Sequence, residues 1–296
     1  MSRLTIKTRK TLTGYGFILP WLIGFAAFTA FPLFYSIYLS FHDVRITPNG
    51  IQTTYTQFSN YYDAFVVDGQ FVQILLTYLR EFAFSVPIIL VFSLIIALLL
   101  NQPIRFRGLF RMVFFLPVII ISGPVVNQLI EQEMTSIPVP ESNMVFMYLM
   151  AGDGIVSTVF TYLMDNLIMT LWFSGVQILI FLAALQKIDR HIYEAAKIDG
   201  ASNWECFWKV TLPSLFPILL VNTIYTTVMY SIFALNGVVL HIQSHMFRVE
   251  TGFGYASALS WIYFAVICFI LLLIVGFMTI RGRKGERDGH TNKENA

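Results

Sequence analysis

The chain has 296 residues, of which 56% are hydrophobic and only 12% are charged, and its formal net charge is +2. An average soluble domain carries roughly 25% charged residues, so a globular protein of this composition could not cover its surface with polar side chains. The composition excludes an ordinary soluble domain and predicts a membrane protein. The two cysteines, Cys206 and Cys268, form no spaced pair, so we expect no redox chemistry.

The apolar segments predict how often the chain crosses the membrane. A helix needs about 20 apolar residues to cross a hydrocarbon core about 30 Å thick, and internal proline or glycine is tolerated in such helices. Six segments qualify, namely residues 14–41, 82–100, 112–129, 167–185, 215–235 and 255–280. The sequence therefore predicts an all-α, polytopic fold with six transmembrane helices in residues 14–280, flanked by tails at 1–13 and 281–296.

The basic residues predict the orientation of these spans. All Lys and Arg residues except Arg45, Arg80 and Arg248 lie in the two terminal tails, in the loop between spans two and three, or in the loop between spans four and five. Because cytoplasmic segments carry the excess of basic residues, both termini are expected in the cytoplasm. The basic C-terminal tail is also expected to attract anionic membrane lipid.

The cytoplasmic loop between spans four and five, residues 186–213, is predicted to form two short helices with a sharp corner. Residues 191–198 are good helix formers, and Gly200 suits the left-handed position that ends a helix. Ser202 and Glu205 have the spacing of a capping box that begins a second helix. Exposed aromatic residues follow, so the loop is expected to be a docking site for another protein.

The same loop carries a spaced motif. Glu194-Ala195-Ala196, then Gly200, then Val210-x-Leu212-Pro213 follow the pattern EAA-x3-G-x9-I-x-LP, with valine in place of isoleucine. The stretches "LPWLIGFAAFTAFPLFYSIYLSF", "FRGLFRMVFFLPVIIISGPVV" and "GYASALSW" agree with the same family. Over most of residues 14–280 the chain resembles the MalF-like permease subunits of binding-protein-dependent ABC importers for carbohydrates.

The resemblance implies a type I ABC importer permease fold in the cytoplasmic membrane of a prokaryote. It implies that the loop's short helix docks into a groove of an ATP-binding subunit. The residues carried over by the motif are Glu194, Ala195, Ala196 and Gly200, and Asp199 and Trp204 are neighbours expected at the same contact. The implied partners are a second, MalG-like permease subunit, two ATP-binding subunits, an extracytoplasmic solute-binding protein and a carbohydrate.

No enzymatic activity is expected on this chain. A P-loop requires G-x4-G-K-[S/T] to hold phosphates with backbone N–H groups, and the sequence contains no such string. ATP and Mg²⁺ are therefore expected on the partner subunits, with no cofactor and no catalytic residue here. The basic clusters are short and lie beside the membrane, so nucleic acid is not an expected partner.

Polar residues inside the spans are candidates for contact with the substrate. Asn222, Tyr225, Thr226 and Tyr230 follow helical spacing in the fifth span and are expected to share a face. Aromatic faces beside hydrogen-bonding groups suit a sugar. Three weaker candidates on other spans are Asn127, Trp172 and Gln177. The alternative is that these side chains hydrogen-bond neighbouring helices, which is common in membrane proteins.

A metal site is not expected. His241 and His245 are four residues apart, a spacing that brings two imidazoles to one helix face, but Glu250 is the one nearby third ligand evident in this loop.

The predicted function is the transmembrane permease subunit of an ATP-driven importer for a carbohydrate, an oligosaccharide or other glycan fragment. The outer loops 131–157 and 236–255 differ from the family pattern, so the identity of the sugar stays open. An importer for a non-sugar solute such as glycerol phosphate is the alternative within the same class. A stand-alone secondary transporter is opposed by the lack of ionisable residues at mid-span. A membrane-anchored scaffold or receptor is opposed by the six kinked spans.

Overall fold

The computed structural model describes residues 6–47, 50–102, 167–248 and 251–294, with a few isolated residues between 103 and 166. Ten helices and two strands lie in these ranges and form two compact units, Met1–Leu75 with Val238–Ala265, and Leu76–Gly237 with Val266–Ala296. The helices are α1 (Ile6–Phe25), α2 (Phe31–Ser40), α3 (Ser59–Val66), α4 (Gly69–Asn101), α5 (Leu167–Leu185), α6 (Arg190–Ile198), α7 (Asn203–Cys206), α8 (Leu212–Ser231), α9 (Gly237–Met246) and α10 (Gly252–Glu294). Five-residue π-helical segments, Ala26–Ala30 and Phe207–Thr211, continue α1 into α2 and α7 into α8.

Four helical segments of the described chain are long and apolar enough to cross a membrane. They are Gly14–Ser40, Gly69–Asn101, Asn203–Ser231 and Gly252–Ile280. A fifth is obtained when Met169–Leu185 is counted together with α6, to which it is bent by 65°. The prediction of several apolar spans is thus confirmed, while the predicted span at 112–129 lies outside the described residues.

The second predicted span belongs to a helix that begins well before its apolar part. Residues 69–81 mix polar and apolar side chains, so a hydropathy criterion starts the span only at residue 82. The apolar side chains of Phe71, Leu75 and Tyr78 are nevertheless buried at helical spacing. The start is fixed by Asp68, whose Oδ1 accepts a hydrogen bond from the Phe71 N–H at 3.0 Å, as an N-cap does.

A β-hairpin corrects the expectation of an all-α protein. Strands β1 (His42–Thr47) and β2 (Gly50–Tyr55) pair antiparallel, with His42 opposite Tyr55 and Thr47 opposite Gly50. The fold is therefore mostly helical, with a two-stranded element between α2 and α3. The Pro-Asn-Gly sequence at 48–50 is a hairpin signal that the search for apolar spans passes over, because the strands are largely polar.

The apolar core of the second unit holds three long helices together. It consists of Val86, Leu90, Ala97 and Leu100 of α4, Ile178, Phe181, Leu182 and Leu185 of α5, and Leu215 of α8. Burial of such side chains is worth roughly 1.5–3 kcal/mol each in water, and within a membrane close packing takes over this role. The core packs α5 against α8. These two helices flank the loop of residues 186–213 and carry Gln177, Asn222 and Thr226, which are described below.

Candidate functional site

The loop of residues 186–213 contains the two capped helices that its sequence predicts. Asp189 is the N-cap of α6, and its side chain accepts a hydrogen bond from the His191 N–H at 3.0 Å. At the other end, Gly200 has φ +85°. The Gly200 N–H donates to the Lys197 carbonyl and the Ala201 N–H donates to the Ala196 carbonyl. These two bonds form a Schellman motif, so Gly200 ends α6 as predicted.

The second half of the loop is tied to the first. Ser202 and Glu205 form a complete capping box, with Glu205 N–H donating to Ser202 Oγ at 3.2 Å and Ser202 N–H donating to Glu205 Oε2 at 2.9 Å. A hydrogen bond of 2.9 Å between Tyr193 OH and Thr211 Oγ1 joins α6 to the π-helical segment before α8. This hydrogen bond links α6 to the segment that continues into α8.

The loop exposes most of the residues that its motif singles out. Glu194 is 67% exposed and lies 3.2 Å from His191 Nδ1, and Ala195, Asp199 and Gly200 are also exposed, while Ala196 is partly buried. Ile198 and Trp204 are 86% and 69% exposed. Large apolar side chains on a water-facing loop indicate a docking surface. We call residues Glu194–Gly200 with Trp204 the coupling surface.

The structure brings three predicted substrate residues together between α5 and α8. Gln177 Nε2 donates to Thr226 Oγ1 at 3.1 Å, and Asn222 Nδ2 donates to the Gln177 carbonyl at 3.2 Å. All three side chains are almost completely buried. Among the residues that the structure describes, none donates a hydrogen bond to Gln177 Oε1 or Asn222 Oδ1. These hydrogen bonds join neighbouring helices, as the alternative to substrate contact predicted. The two oxygen atoms could still accept a hydrogen bond from a further donor.

The remaining substrate candidates lie elsewhere. Tyr230 is partly buried in an aromatic group, with its ring 6.2 Å from that of Tyr78 and 5.5 Å from that of Phe173. Trp172 is buried, whereas Tyr225 is partly buried. Asn127 lies outside the described residues. The residues predicted to share one face of α8 thus differ in burial. Asn222 and Thr226 are buried in contacts with α5, and Tyr225 is more accessible than these two.

Replacing Asn222 and Tyr225 separately should distinguish these two roles. Asn222→Ala removes an interhelical hydrogen bond, so we expect the protein to lose about 0.6–2 kcal/mol of stability. Tyr225→Ala should leave the melting temperature in detergent unchanged while lowering solute uptake. Thermal unfolding and uptake by reconstituted vesicles measure both effects, with Val221→Ala on the exposed side of the same helix as control. Unchanged uptake in Tyr225→Ala would remove this residue from the substrate pathway.

A separate group of polar side chains lies in the first unit, and we call Asp68, His241, His245 and Tyr255 the Asp68 cluster. Asp68 Oδ2 accepts hydrogen bonds from His241 Nε2 at 2.9 Å and from Tyr255 OH at 2.8 Å. His245 Nε2 lies 3.7 Å from the same oxygen. Asp68 is thus the third candidate metal ligand beside the two histidines. The sequence suggested Glu250 for this position, and Glu250 lies outside the described part of the chain. No local signal links Asp68 to the two histidines, since they are far apart in sequence.

Opposing effects set the protonation of this cluster. Burial favours the neutral carboxyl of Asp68, but hydrogen bonds from His241, the Phe71 N–H and Tyr255 outweigh it and lower its pKa below the ordinary value. Burial, together with the charges of His241 and Arg248, lowers the pKa of His245 although Asp68 opposes this. Near neutral pH the cluster therefore holds a carboxylate beside a neutral imidazole.

Comparison with known proteins defines the class. Residues 64–283 match the family described as "Binding-protein-dependent transport system inner membrane component". The chain belongs to this family of membrane components of transport systems, and the resemblance found in its motif is confirmed.

Individual relatives agree with this membership over nearly the whole chain. The lactose transport system permease protein LacF of Rhizobium radiobacter is 30% identical over 303 residues, covering 96% of this chain and 99% of the relative. The multiple sugar-binding transport system permease protein MsmF of Streptococcus mutans is also 30% identical, covering 92% and 97%.

A solved structure shows the same fold. The crystal structure of a bacterial alginate ABC transporter, in complex with alginate pentasaccharide-bound periplasmic protein, contains a chain that matches with a TM-score of 0.67 at 18% identity. The match covers 95% of this chain and 99% of that one. At this identity the likeness establishes the fold and leaves the cargo to be argued separately.

Proposed function

We propose that this chain is the permease subunit of an ATP-driven ABC importer that takes up a carbohydrate, an oligosaccharide or other glycan fragment. The observation that carries the proposal is the coupling surface. Its helix α6 is ended by a glycine in the left-handed conformation and is followed at once by a capping box. Glu194 and Ala195 of the EAA motif are exposed, and Ala196 is partly buried. Membership of a binding-protein-dependent transport family supports a role for this surface in docking to an ATP-binding subunit.

The proposed mechanism starts on a partner chain. ATP hydrolysis takes place on two ATP-binding subunits, whose closure displaces α6 through Glu194, Ala195, Ala196, Asp199, Gly200 and Trp204. The Tyr193–Thr211 hydrogen bond carries this displacement to the base of α8. The helix α8 then moves against α5 along the interface that contains Gln177, Asn222 and Thr226. Two alternative packings of α8 against α5 would correspond to the inward-open and the outward-open states of the transport pathway.

The proposed assembly has six spans in this chain, with both termini in the cytoplasm, and a second, MalG-like permease subunit completes the pathway. A partner in the membrane is supported by the first span, because the described residues bury no part of the most apolar 18-residue window within Gly14–Ser40. Phe17, Trp21 and Phe28 are 82%, 68% and 85% exposed. Such side chains contact lipid or another subunit. An extracytoplasmic solute-binding protein delivers the cargo.

The carbohydrate substrate is supported by relatives named for the transport of lactose and of multiple sugars. The local chemistry also suits a sugar, because Gln177 Oε1 and Asn222 Oδ1 are acceptors that no donor in the described part of the chain reaches, and a sugar offers many hydroxyl donors. Aromatic rings of Tyr230 and Phe173 lie in the same unit, where they offer stacking faces.

Purification of the tagged chain from native membranes in mild detergent tests this assembly. We expect an ATP-binding protein and a second six-span permease to be identified by mass among the co-purified chains. The control is the Glu194→Lys variant, which should retain the second permease while losing the ATP-binding protein. A chain that purifies alone and moves solute in vesicles without ATP would instead be a secondary transporter.

A further inference from the structure

We propose that Asp68, His241 and His245 form a binding site for a divalent transition-metal ion, with Zn²⁺ the best fit. Two imidazoles and one carboxylate are a ligand set that Zn²⁺ uses in proteins. Their candidate ligand atoms all lie within 4.8 Å of one another. The site is independent of the coupling surface and of the polar contacts between α5 and α8, so it adds to the proposed transport function.

The distances between the ligand atoms suit a tetrahedral ion. With metal–ligand bonds of about 2.1 Å, tetrahedral ligand atoms lie about 3.4 Å apart. His241 Nε2 and His245 Nε2 lie 2.9 Å and 3.7 Å from Asp68 Oδ2, on either side of this value. The separation of 3.7 Å is too long for a hydrogen bond. Small side-chain rotations, with the proton of His241 moved from Nε2 to Nδ1 so that Nε2 carries a lone pair, would therefore accommodate the ion, and the fourth position is left to water.

Outer hydrogen bonds already hold two of the three ligands in the state that a metal requires. The Thr251 hydroxyl donates to the His245 carbonyl, so its oxygen accepts from His245 Nδ1–H at 3.1 Å. That tautomer leaves a lone pair on His245 Nε2. Asp68 Oδ1 is held by the Phe71 N–H and Tyr255 OH donates to Oδ2. Outer-shell partners of this kind orient ligands and raise metal affinity.

Burial favours an ion that is retained once bound. The side chains of His241 and His245 are each 8% exposed, while that of Asp68 is 15% exposed and leaves an entry. The two histidines are one turn apart on α9, and Asp68 is the N-cap of α4. A bound ion would therefore cross-link the start of α4 to α9 and stabilise this part of the chain.

The test uses the full-length chain, purified in detergent with a tag free of histidine and stripped with a chelator. Titration with Zn²⁺ in a calorimeter should give one ion per chain and a rise in melting temperature, and Co²⁺ should give the visible bands of a four-coordinate site. Asp68→Asn, His241→Gln and His245→Gln should each weaken binding by about 100-fold or more. Tyr255→Phe, which removes one outer-shell hydroxyl, should weaken it about tenfold.

The matched control is His191→Gln, which removes an exposed histidine of α6 and should leave the affinity for Zn²⁺ unchanged. If a ligand variant fails to fold, Tyr255→Phe still tests the site, because this variant keeps the aromatic ring. Absence of saturable Zn²⁺ binding to the wild type would overturn the proposal. Equal affinity in Tyr255→Phe and in the ligand variants that fold would do the same.

Discussion

Replacing Gly200 by proline is expected to uncouple ATP hydrolysis from solute uptake in the assembled importer. The native φ of +85° lies far from the value of about −65° that proline imposes. Proline also removes the N–H that donates to the Lys197 carbonyl at 3.0 Å. In the proposed assembly, the distorted corner would displace α6 from its contact with the ATP-binding subunit. We expect the loss of about 3 kcal/mol or more in this turn to lower coupled uptake about 100-fold.

A graded series at the same position separates the backbone from the side chain. An added Cβ at Gly200 meets no atom within 4 Å, so a side chain has space and only the conformation is restrictive. Asparagine tolerates the left-handed region, and Gly200→Asn should keep most of the coupling. The measurements are ATPase activity and uptake in the same proteoliposomes. Coupling of wild-type strength in Gly200→Pro would contradict the role given to this corner.

Charge reversal at Glu194 tests the coupling surface without changing its fold. The side chain of Glu194 is 67% exposed, and among the described residues it pairs only with the exposed His191. We therefore expect the free energy of unfolding of Glu194→Lys to lie within about 0.5 kcal/mol of the wild-type value. Uptake should nevertheless fall, because a lysine would face the partner's groove. Glu194→Gln is the matched control, since it keeps the shape and removes the charge alone.

Replacing Gly254 by alanine is expected to destabilise the folded protein strongly. An added Cβ would overlap the His42 carbonyl oxygen and would lie 3.1 Å from the His42 carbonyl carbon and 3.2 Å from the Leu39 carbonyl oxygen. All of these atoms belong to the backbone and cannot rotate away. The first turn of α10 would have to separate from the junction of α2 and β1. Overpacking of this kind costs about 3 kcal/mol.

The matched control for Gly254 lies on the same helix. An added Cβ at Gly276 meets nothing within 4 Å, so Gly276→Ala should be neutral or should stabilise the helix by about 0.5–1 kcal/mol. Thermal unfolding in detergent and the yield of folded protein measure both variants. Equal melting temperatures for Gly254→Ala and Gly276→Ala would show that the packing of α10 against His42 is not as close as described.

Much of the loop of residues 186–213 is predictable because its signals are local. The helix of residues 191–198, its end at Gly200 and the capping box of Ser202 and Glu205 each depend on residues within one turn of one another. The structure confirms all three. The span at 167–185 was predicted with its observed bounds because its apolar character changes abruptly at both ends. Hydropathy did not predict the helix at residues 69–81, because only one face of the helix is buried there.

The sequence by itself determined the membrane class, the family and the coupling motif, because composition, hydropathy and spaced motifs are properties of neighbouring residues. Only the tertiary structure decided what the dispersed polar residues do. It placed Asp68 beside His241 and His245, paired Gln177 with Asn222 and Thr226, and packed Gly254 against His42. Each of these contacts joins residues from distant segments, and their proximity depends on how whole helices pack, which no local pattern encodes.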